Sequence, residues 1–362
     1  MKVLFIEPYP TEGPSSRYRV EQYIPYLEKH GVRCIVRPFV SPQFYRILYK
    51  KGSYLKKLLF FMQGSIKRFF DIFTGIRSDI IFVHLEAFPI GPPIIEWIFS
   101  KFGKTIIYDL DDAIYMRATN SANRFSRYLK CPFKIKEIIK ISAHIVTCNE
   151  FLADYARKFN KNVTVIHTSV DTEKFMPKRK EDKKEITLGW IGSHSTSGYL
   201  EELKNVFYRL SLEHKFTLKI IGASKFSLKV PGVEVINLDW RLSDEIEQFQ
   251  SLDIGVYPLP ENDWTRGKTG FKTIQYMSVG IPCVVSNVGA NRDIVKDGVN
   301  GFLVDSEDAW IEKLSLLIKE PSLRQQIGMN GRETIKEKFS LEANAPKFKA
   351  LLERYEVKNG KR

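Results

Sequence analysis

Apolar residues along this chain fall into two alternating patterns. Short solid runs at 3–7, 32–36, 79–85, 105–108, 145–147 and 163–166 are bounded by Pro, Gly or polar residues, which predicts buried strands. Between them apolar residues recur three and four apart, as with Val20, Tyr23, Ile24 and Leu27, or fill stretches such as 93–102, which predicts helices. A charged stretch at 178–184 holds no apolar residue, and past it the rhythm restarts. Runs at 186–191, 216–221, 233–238, 254–257 and 283–286 predict strands, and 242–249, 307–318, 323–338 and 344–355 predict helices. Solid strands alternating with helices are the pattern of parallel βαβ units, which close right-handed. The fold class is therefore α/β, with two doubly wound Rossmann-like domains divided at 178–184.

The most informative stretch runs from 253 to 304. Its strand at 254–257 ends in Pro258 and Pro260, and a polar loop, 261–267, follows. Arg266, Gly267, Lys268 and Thr269 then lead into a helix on which Phe271, Ile274, Gln275, Met277 and Ser278 recur at helical spacing. Thr269 is placed to cap that helix with its hydroxyl. Gly280 and Pro282 end it. Free amides, a positive helix end and the cations Arg266, Lys268 and Lys272 converge in one space, which suits a phosphate or diphosphate. The competing reading is a solvated loop with ordinary surface lysines.

Charge narrows the partners. The chain of 362 residues carries a formal net charge of +14, which asks for an anionic partner: a nucleoside diphosphate, an anionic lipid surface or nucleic acid. Zinc-finger spacing, RNP-like motifs and helix-turn-helix patterns are missing, so nucleic acid ranks last and is not expected as a partner. Four cysteines, Cys34, Cys131, Cys148 and Cys283, lie scattered without CxxC spacing, as free thiols in a reducing compartment do. No leader pattern or membrane-spanning run is expected, which points to the cytoplasm. The segment 44–73 interleaves Phe44, Tyr45, Leu55, Leu58 and Phe61 with Arg46, Lys50, Lys56, Lys57 and Lys67. That mixture suits a helix lying on an anionic bilayer, on the inner face of the cell membrane, or a helical pair packed on the sheet. Gly52 is expected to break it in two.

Ligands in doubly wound sheets bind at the carboxyl ends of the strands. By position this nominates Arg17 and Arg19 after the first strand, and Glu86 after the strand at 79–85, beside His84. It also nominates the carboxylates of Asp109-Leu110-Asp111-Asp112. Asp109 and Asp111 are read as ligand-facing, and a metal-holding Asp-x-Asp is the alternative for the cluster. Helix capping is the expected role of Asp112. In the second half Gly192 and Ser193 open a loop of small residues, 192–198, whose backbone amides suit a phosphate. His194 is read as a surface residue and Trp240 as an edge beside a base.

Gln275-Tyr276-Met277-Ser278-Val279-Gly280-Ile281-Pro282-Cys283-Val284-Val285-Ser286 resembles a pattern of group-1 (family four) glycosyltransferases of the GT-B fold. So do the stretches from Val288 to Val295 and from Asp297 to Val304, and the set Val170, Asp171, Phe175 and Pro177. The chain departs from that family at two places, where Gly267 and Gln275 stand for a pair of glutamates. The resemblance implies two Rossmann-like domains facing across a cleft: 1–177 for the acceptor and 185–343 for the donor. The terminal helix, 344–362, is implied to return to the first. It further implies retaining transfer of a sugar from a nucleoside diphosphate sugar to a glycan or lipid-linked acceptor, as in polysaccharide biosynthesis, with no cofactor and no metal. Asp109 and Lys268 are expected as catalytic. Gly192, Ser193, Arg266, Gly267, Lys268, Thr269, Lys272 and Gln275 are expected at the donor, and Arg17, Arg19, Glu86 and Asp111 at the acceptor. The missing glutamates leave open a catalytically silent protein that binds nucleotide or anionic lipid.

Overall fold

In the computed structural model the sequence's solid runs become strands of two parallel sheets. The structure describes residues 1–50, 52–116, 131, 133–178 and 185–356. Contacts divide the chain into two units, Met1–Ser169 with Asn344–Arg362, and Val170–Ala343.

In the first unit, β1 (Lys2–Glu7), β2 (Arg33–Pro38), β3 (Ile80–His84), β4 (Thr105–Leu110), β5 (His144–Thr147) and β6 (Val163–Val165) form a sheet in the order β2-β1-β3-β4-β5-β6. The pairs β1–β2, β1–β3 and β3–β4 are parallel, with Leu4 opposite Ile35 and Ile81, and Ile81 opposite Ile106. Helices cover the sheet, so Val3, Leu4, Phe5 and Ile6 are fully buried, which explains the unbroken apolar run. The strand order reverses direction between β1 and β3, the place where such sheets open a crevice. Phe348, from the helix Leu341–Arg354, packs 5.1 Å from Phe82 and 4.9 Å from Tyr23, which ties Asn344 onward into this unit.

In the second unit, β7 (Ile186–Ile191), β8 (Phe216–Ile221), β9 (Glu234–Leu238), β10 (Ile254–Tyr257), β11 (Cys283–Ser286) and β12 (Phe302–Val304) order as β12-β11-β10-β7-β8-β9. Trp190, Leu188, Ile220, Val256 and Val284 form its core with Phe207 and Leu314. Here the order reverses between β7 and β10.

Some expectations shift and one holds. The units divide at Ser169–Val170 rather than at 178–184, because the chain is already fastened to the second unit: Val170 exchanges hydrogen bonds with Phe339 and Leu341, Phe175 is buried, and Arg332 donates to the Phe175 and Thr172 carbonyls. Residues 179–184 lie outside the described residues. Arg17 and Arg19, expected after the first strand, stand in the last turn of the helix Pro14–Arg19, whose first position Pro14 occupies. The polar loop at 261–267 contains a short helix, Asp263–Arg266, started by Asn262 and Thr265, which cap each other's backbone amides. The segment at 42–76 breaks at Gly52, as expected, into the helices Pro42–Leu48 and Tyr54–Ile76.

Candidate functional site

The carboxyl ends of β7 and β10 define a crevice in the second unit. β10 runs out through Pro258, and the helix Phe271–Ser278 returns behind it. Gly270 starts that helix at φ +66, a left-handed conformation that suits glycine, and a Cβ there would meet the Ile294 side chain. The expected cap at Thr269 is realised one residue earlier than a standard N-cap: its hydroxyl accepts from the Phe271 amide at 3.2 Å, while Gly270 is the N-cap residue.

The helix's second residue is Lys272. Its ammonium lies 4.7 Å from the ring centre of Tyr257, on β10, and 5.5 Å from that of Trp190, on β7. The two rings belong to the two strands that flank the reversal in strand order. Burial, and then the charge of Lys268, pushes the Lys272 ammonium down to about 7. Lys268 sits 4.5 Å from the ring centre of Trp264. The crevice floor is bare backbone: a Cβ on Gly192 would lie 2.9 Å from Lys272 Cε, and one on Gly222 (φ +88) would overlap the Gly192 carbonyl oxygen. Ser193 is exposed at the rim, its hydroxyl 2.7 Å from that of Ser195.

One turn further along the same face, Gln275 Nε2 donates to Glu245 Oε1 at 3.3 Å. Glu245 comes from another helix, Glu245–Gln250, and is buried. A carboxylate therefore stands beside Gln275 although none precedes it at Gly267. Nothing in the sequence near Glu245 marks it, because the pairing joins residues 30 apart.

Gly192, Lys268, Lys272 and Gln275 thus gather as expected, with Thr269 at the turn. Arg266 is differently engaged: its Nε donates to Glu261 at 2.7 Å, and its Nη1 to Asp263 at 3.4 Å. Gly267 is buried beside it, its amide bonded to the Asp263 carbonyl. A separate cavity of ≈ 620 Å³ lies along Pro258, Glu261, Ser286, Arg292 and Glu307. Its carboxylates suit a diphosphate less well than the lysines do.

The first unit carries its own cluster at the ends of β3 and β4. His84 Nδ1 lies 2.7 Å from Asp109 Oδ2, and His84 Nε2 lies 2.6 Å from the Ser15 hydroxyl. Ser15 donates to Asp111 Oδ2 at 2.7 Å. Arg19 grips both oxygens of Asp109, its Nε at 3.1 Å from Oδ2, and donates to the Ile166 carbonyl at 2.6 Å. The result is a chain of polar side chains, Asp111, Ser15, His84, Asp109 and Arg19, in which His84 and Asp109 are wholly buried and Ser15 is half-buried.

This placement corrects two expectations. Asp109 is sealed from solvent and both its oxygens are occupied, so it orients His84 rather than meeting a ligand. Arg19, 4% exposed, neutralises Asp109 instead of facing an acceptor. Burial works to raise the Asp109 carboxyl, but Arg19 and His84 outweigh it and hold the group below its ordinary range. Asp112 accepts from the Ala113 amide, and 113–116 are not helical, so the expected cap does not form there. Arg17 lies half-buried over Tyr18 and donates to the Thr11 carbonyl. Glu86 pairs with Lys134 at 2.9 Å and lines a pocket of ≈ 150 Å³ with Tyr9, Leu85 and Cys131. Leu85, between His84 and Glu86, holds φ 60, an uncommon conformation for a branched residue. Sequence reasoning passed over Ser15 and gave His84 no role; its only signal is its place as the last residue of a buried strand. Among the described residues no three His, Cys, Asp or Glu side chains converge as a metal site.

The family of group 1 glycosyl transferases matches residues 171–334. The capsular polysaccharide biosynthesis glycosyltransferase CapM of Staphylococcus aureus is 32% identical over 117 residues, 32% of this chain and 29% of that protein. The N-acetyl-alpha-D-glucosaminyl L-malate synthase of Bacillus anthracis is 26% identical over 224 residues, 56% of this chain and 57% of that protein. The chain thus spans less than two thirds of either relative. Among solved structures, sucrose-phosphate synthase from Thermosynechococcus elongatus superimposes with a TM-score of 0.69 at 14% identity, covering 98% of both chains. Anabaena HepE in complex with UDP-glucose superimposes with a TM-score of 0.69 at 14% identity, over 98% of this chain and all of that one. These similarities establish the shared fold. The matched residues lie within the second unit, which is similar to the group 1 glycosyl transferases, and the chain shares the GT-B fold of its solved neighbours.

Proposed function

We propose that the chain transfers a sugar, with retention of anomeric configuration, from a nucleoside diphosphate sugar to a glycan or lipid-linked acceptor at the inner face of the cell membrane. The observation that carries this reading is the Lys272 ammonium held between Trp190 and Tyr257, where β7 and β10 diverge. An aromatic-walled cation over a bare-backbone floor fits a leaving diphosphate. Lys272 and Lys268 offset the charge that grows on the diphosphate as the glycosidic bond breaks. Fixed donors of this sort contribute about 2.7–4 kcal/mol each to transition-state stabilisation in other enzymes. The Gln275 amide, steadied by Glu245, is placed to meet a ribose hydroxyl. The acceptor is assigned to the first unit, where Ser15, Arg17 and Glu86 are among the accessible polar groups near the strand ends. The reaction is written without metal or cofactor, the protein's own cations supplying positive charge.

HepE is described in complex with UDP-glucose and an alpha-glucosyltransferase neighbour in complex with UDP, so UDP is the first nucleotide to test. Thermal-shift measurements against UDP, GDP, ADP and their sugars are expected to raise the melting temperature for one base, since a ligand bound only by the folded state stabilises it. No shift with any of them would remove the donor site. Gly267 and Gln275, standing where the family has carboxylates, favour a second reading: a silent protein that binds nucleotide without transfer. Binding with no donor hydrolysis or transfer above background would select it.

A further inference from the structure

The helix Tyr54–Ile76 is amphipathic the wrong way round for water. Its inward face carries Gly64, Arg68, Asp71 and Gly75, all buried. Gly64 lets the backbone approach Phe39, and Gly75 lets it approach Phe99. Arg68 is buried against Asp71, at 3.2 Å, and donates to the Glu7 and Arg37 carbonyls. Its outward face carries Leu55, Leu58, Met62, Ile66, Phe69 and Phe73, each more than half exposed. At about 100° per residue these six fall within an arc of roughly 80°, opposite the buried face. Tyr49 and Tyr54, at 72% and 77% exposure, sit at its amino-terminal end. A monomer in water has no reason to turn a stripe of this size outward.

The charges around the stripe have one sign. Arg46, Lys50, Lys56, Lys67 and Arg77 are exposed, while the one acid between 42 and 77, Asp71, is buried on Arg68 and Arg37. Lys56 and Lys67 lie about 80–100° round the helix from the edge of that arc, past the exposed Leu59 and Phe70, on the flank between it and the buried face. A second copy of the chain would bring like charges together over this face; an anionic surface matches it. The helix is not long and apolar enough to cross a membrane.

We infer that this face is a docking surface for an anionic lipid bilayer, with the helix lying in the interface plane, its leucines and phenylalanines among the acyl chains and its lysines at the headgroups. This deepens the membrane part of the proposed function and rests on that part alone; donor binding is a property of the second unit and is read separately.

The experiment is vesicle co-sedimentation of the full chain with phosphatidylcholine alone and with phosphatidylcholine containing phosphatidylglycerol. Binding is expected with the mixed vesicles, weak or no binding with phosphatidylcholine, and release by salt. A Leu58→Glu, Phe69→Glu, Phe73→Glu variant alters exposed side chains only and is expected to keep the wild-type melting temperature and nucleotide-induced thermal shift while losing sedimentation. Lys56→Glu with Lys67→Glu is expected to weaken binding, about fivefold for each cation removed. Wild-type protein left in the supernatant with both vesicles overturns the inference. Equal binding to both vesicles, insensitive to salt, overturns the anionic part. A wild-type dimer that the triple variant dissolves, with no lipid binding, assigns the face to self-association instead. A lost thermal shift in every form, with sedimentation intact, would count against the donor site and leave the docking face standing.

Discussion

The Lys272 ammonium lies 4.7 Å from the centre of the Tyr257 ring, and the charge acting on it among the described residues is another lysine, Lys268. A lysine in such a place is destabilised as a cation until an anion arrives. Lys272→Met keeps the shape and removes the charge. It is expected to leave the melting temperature unchanged or raised, and to abolish the shift induced by nucleoside diphosphate. A variant that still responds to the nucleotide as wild type does would remove Lys272 from the site.

The same lysine predicts a proton linkage. Its folded value is about 7, below the usual lysine range, so above pH 7 the empty protein holds Lys272 increasingly neutral. A bound diphosphate favours the cation and raises that value. Binding therefore takes up a proton between about pH 7 and 9, and affinity falls as pH rises through that window. Calorimetry in buffers of different ionisation enthalpy reads the uptake directly; heats independent of buffer would contradict it.

Lys268 stands beside Trp264 on the turn rather than in the core. Lys268→Ala is expected to lower turnover by about a hundredfold or more, the size of one lost electrostatic donor. Its denaturation midpoint is expected to move little. Normal turnover with an intact fold would place Lys268 outside the chemistry.

Arg19→Met leaves Asp109 buried and uncompensated. Breaking a buried pair from one side costs about 3–5 kcal/mol, so urea denaturation is expected to show a loss of that order. Because Asp109 is held below its ordinary range, the wild-type stabilisation is present above the unfolded carboxylate value, near pH 4. It is lost as pH falls below that. A loss under about 1 kcal/mol would mean that solvent reaches Asp109.

Glu7, wholly buried at the end of β1, is pushed up to about 9, by burial first and then by Glu21. The folded state keeps its proton while the unfolded state loses it, so stability from this group falls as pH rises from about 4.5 to 9. Glu7→Gln removes that dependence. Its melting temperature is expected to exceed wild type at pH 8 by more than at pH 5; the reverse order would show that Glu7 ionises in the folded chain.

The strands were legible because parallel strands are buried on both faces, and burial on both faces writes an unbroken apolar run, as in Val3 to Ile6. Lys272 was legible as a member of a cationic loop, since loop chemistry and helix start are local. Its two aromatic walls were not, because Trp190 precedes it by 82 positions and only the sheet order joins them. Arg19 and Asp109 were each nominated by position at a strand end. Their mutual neutralisation, across 90 residues, is a property of packing and cannot be read from either neighbourhood. The helix Asp263–Arg266 had a local signal in Asn262 and Thr265, overlooked because four residues leave no periodicity.

The meeting of Gly192 with Gly222 limits how this protein can change. A surface made of main-chain atoms offers mutation no group to enlarge, shrink or recharge, and a methyl at position 222 would already displace the neighbouring strand end. On the proposed reading, any shift in donor preference comes from the walls, at places such as Ser193 and Gln275, while the base of the pocket stays as it is.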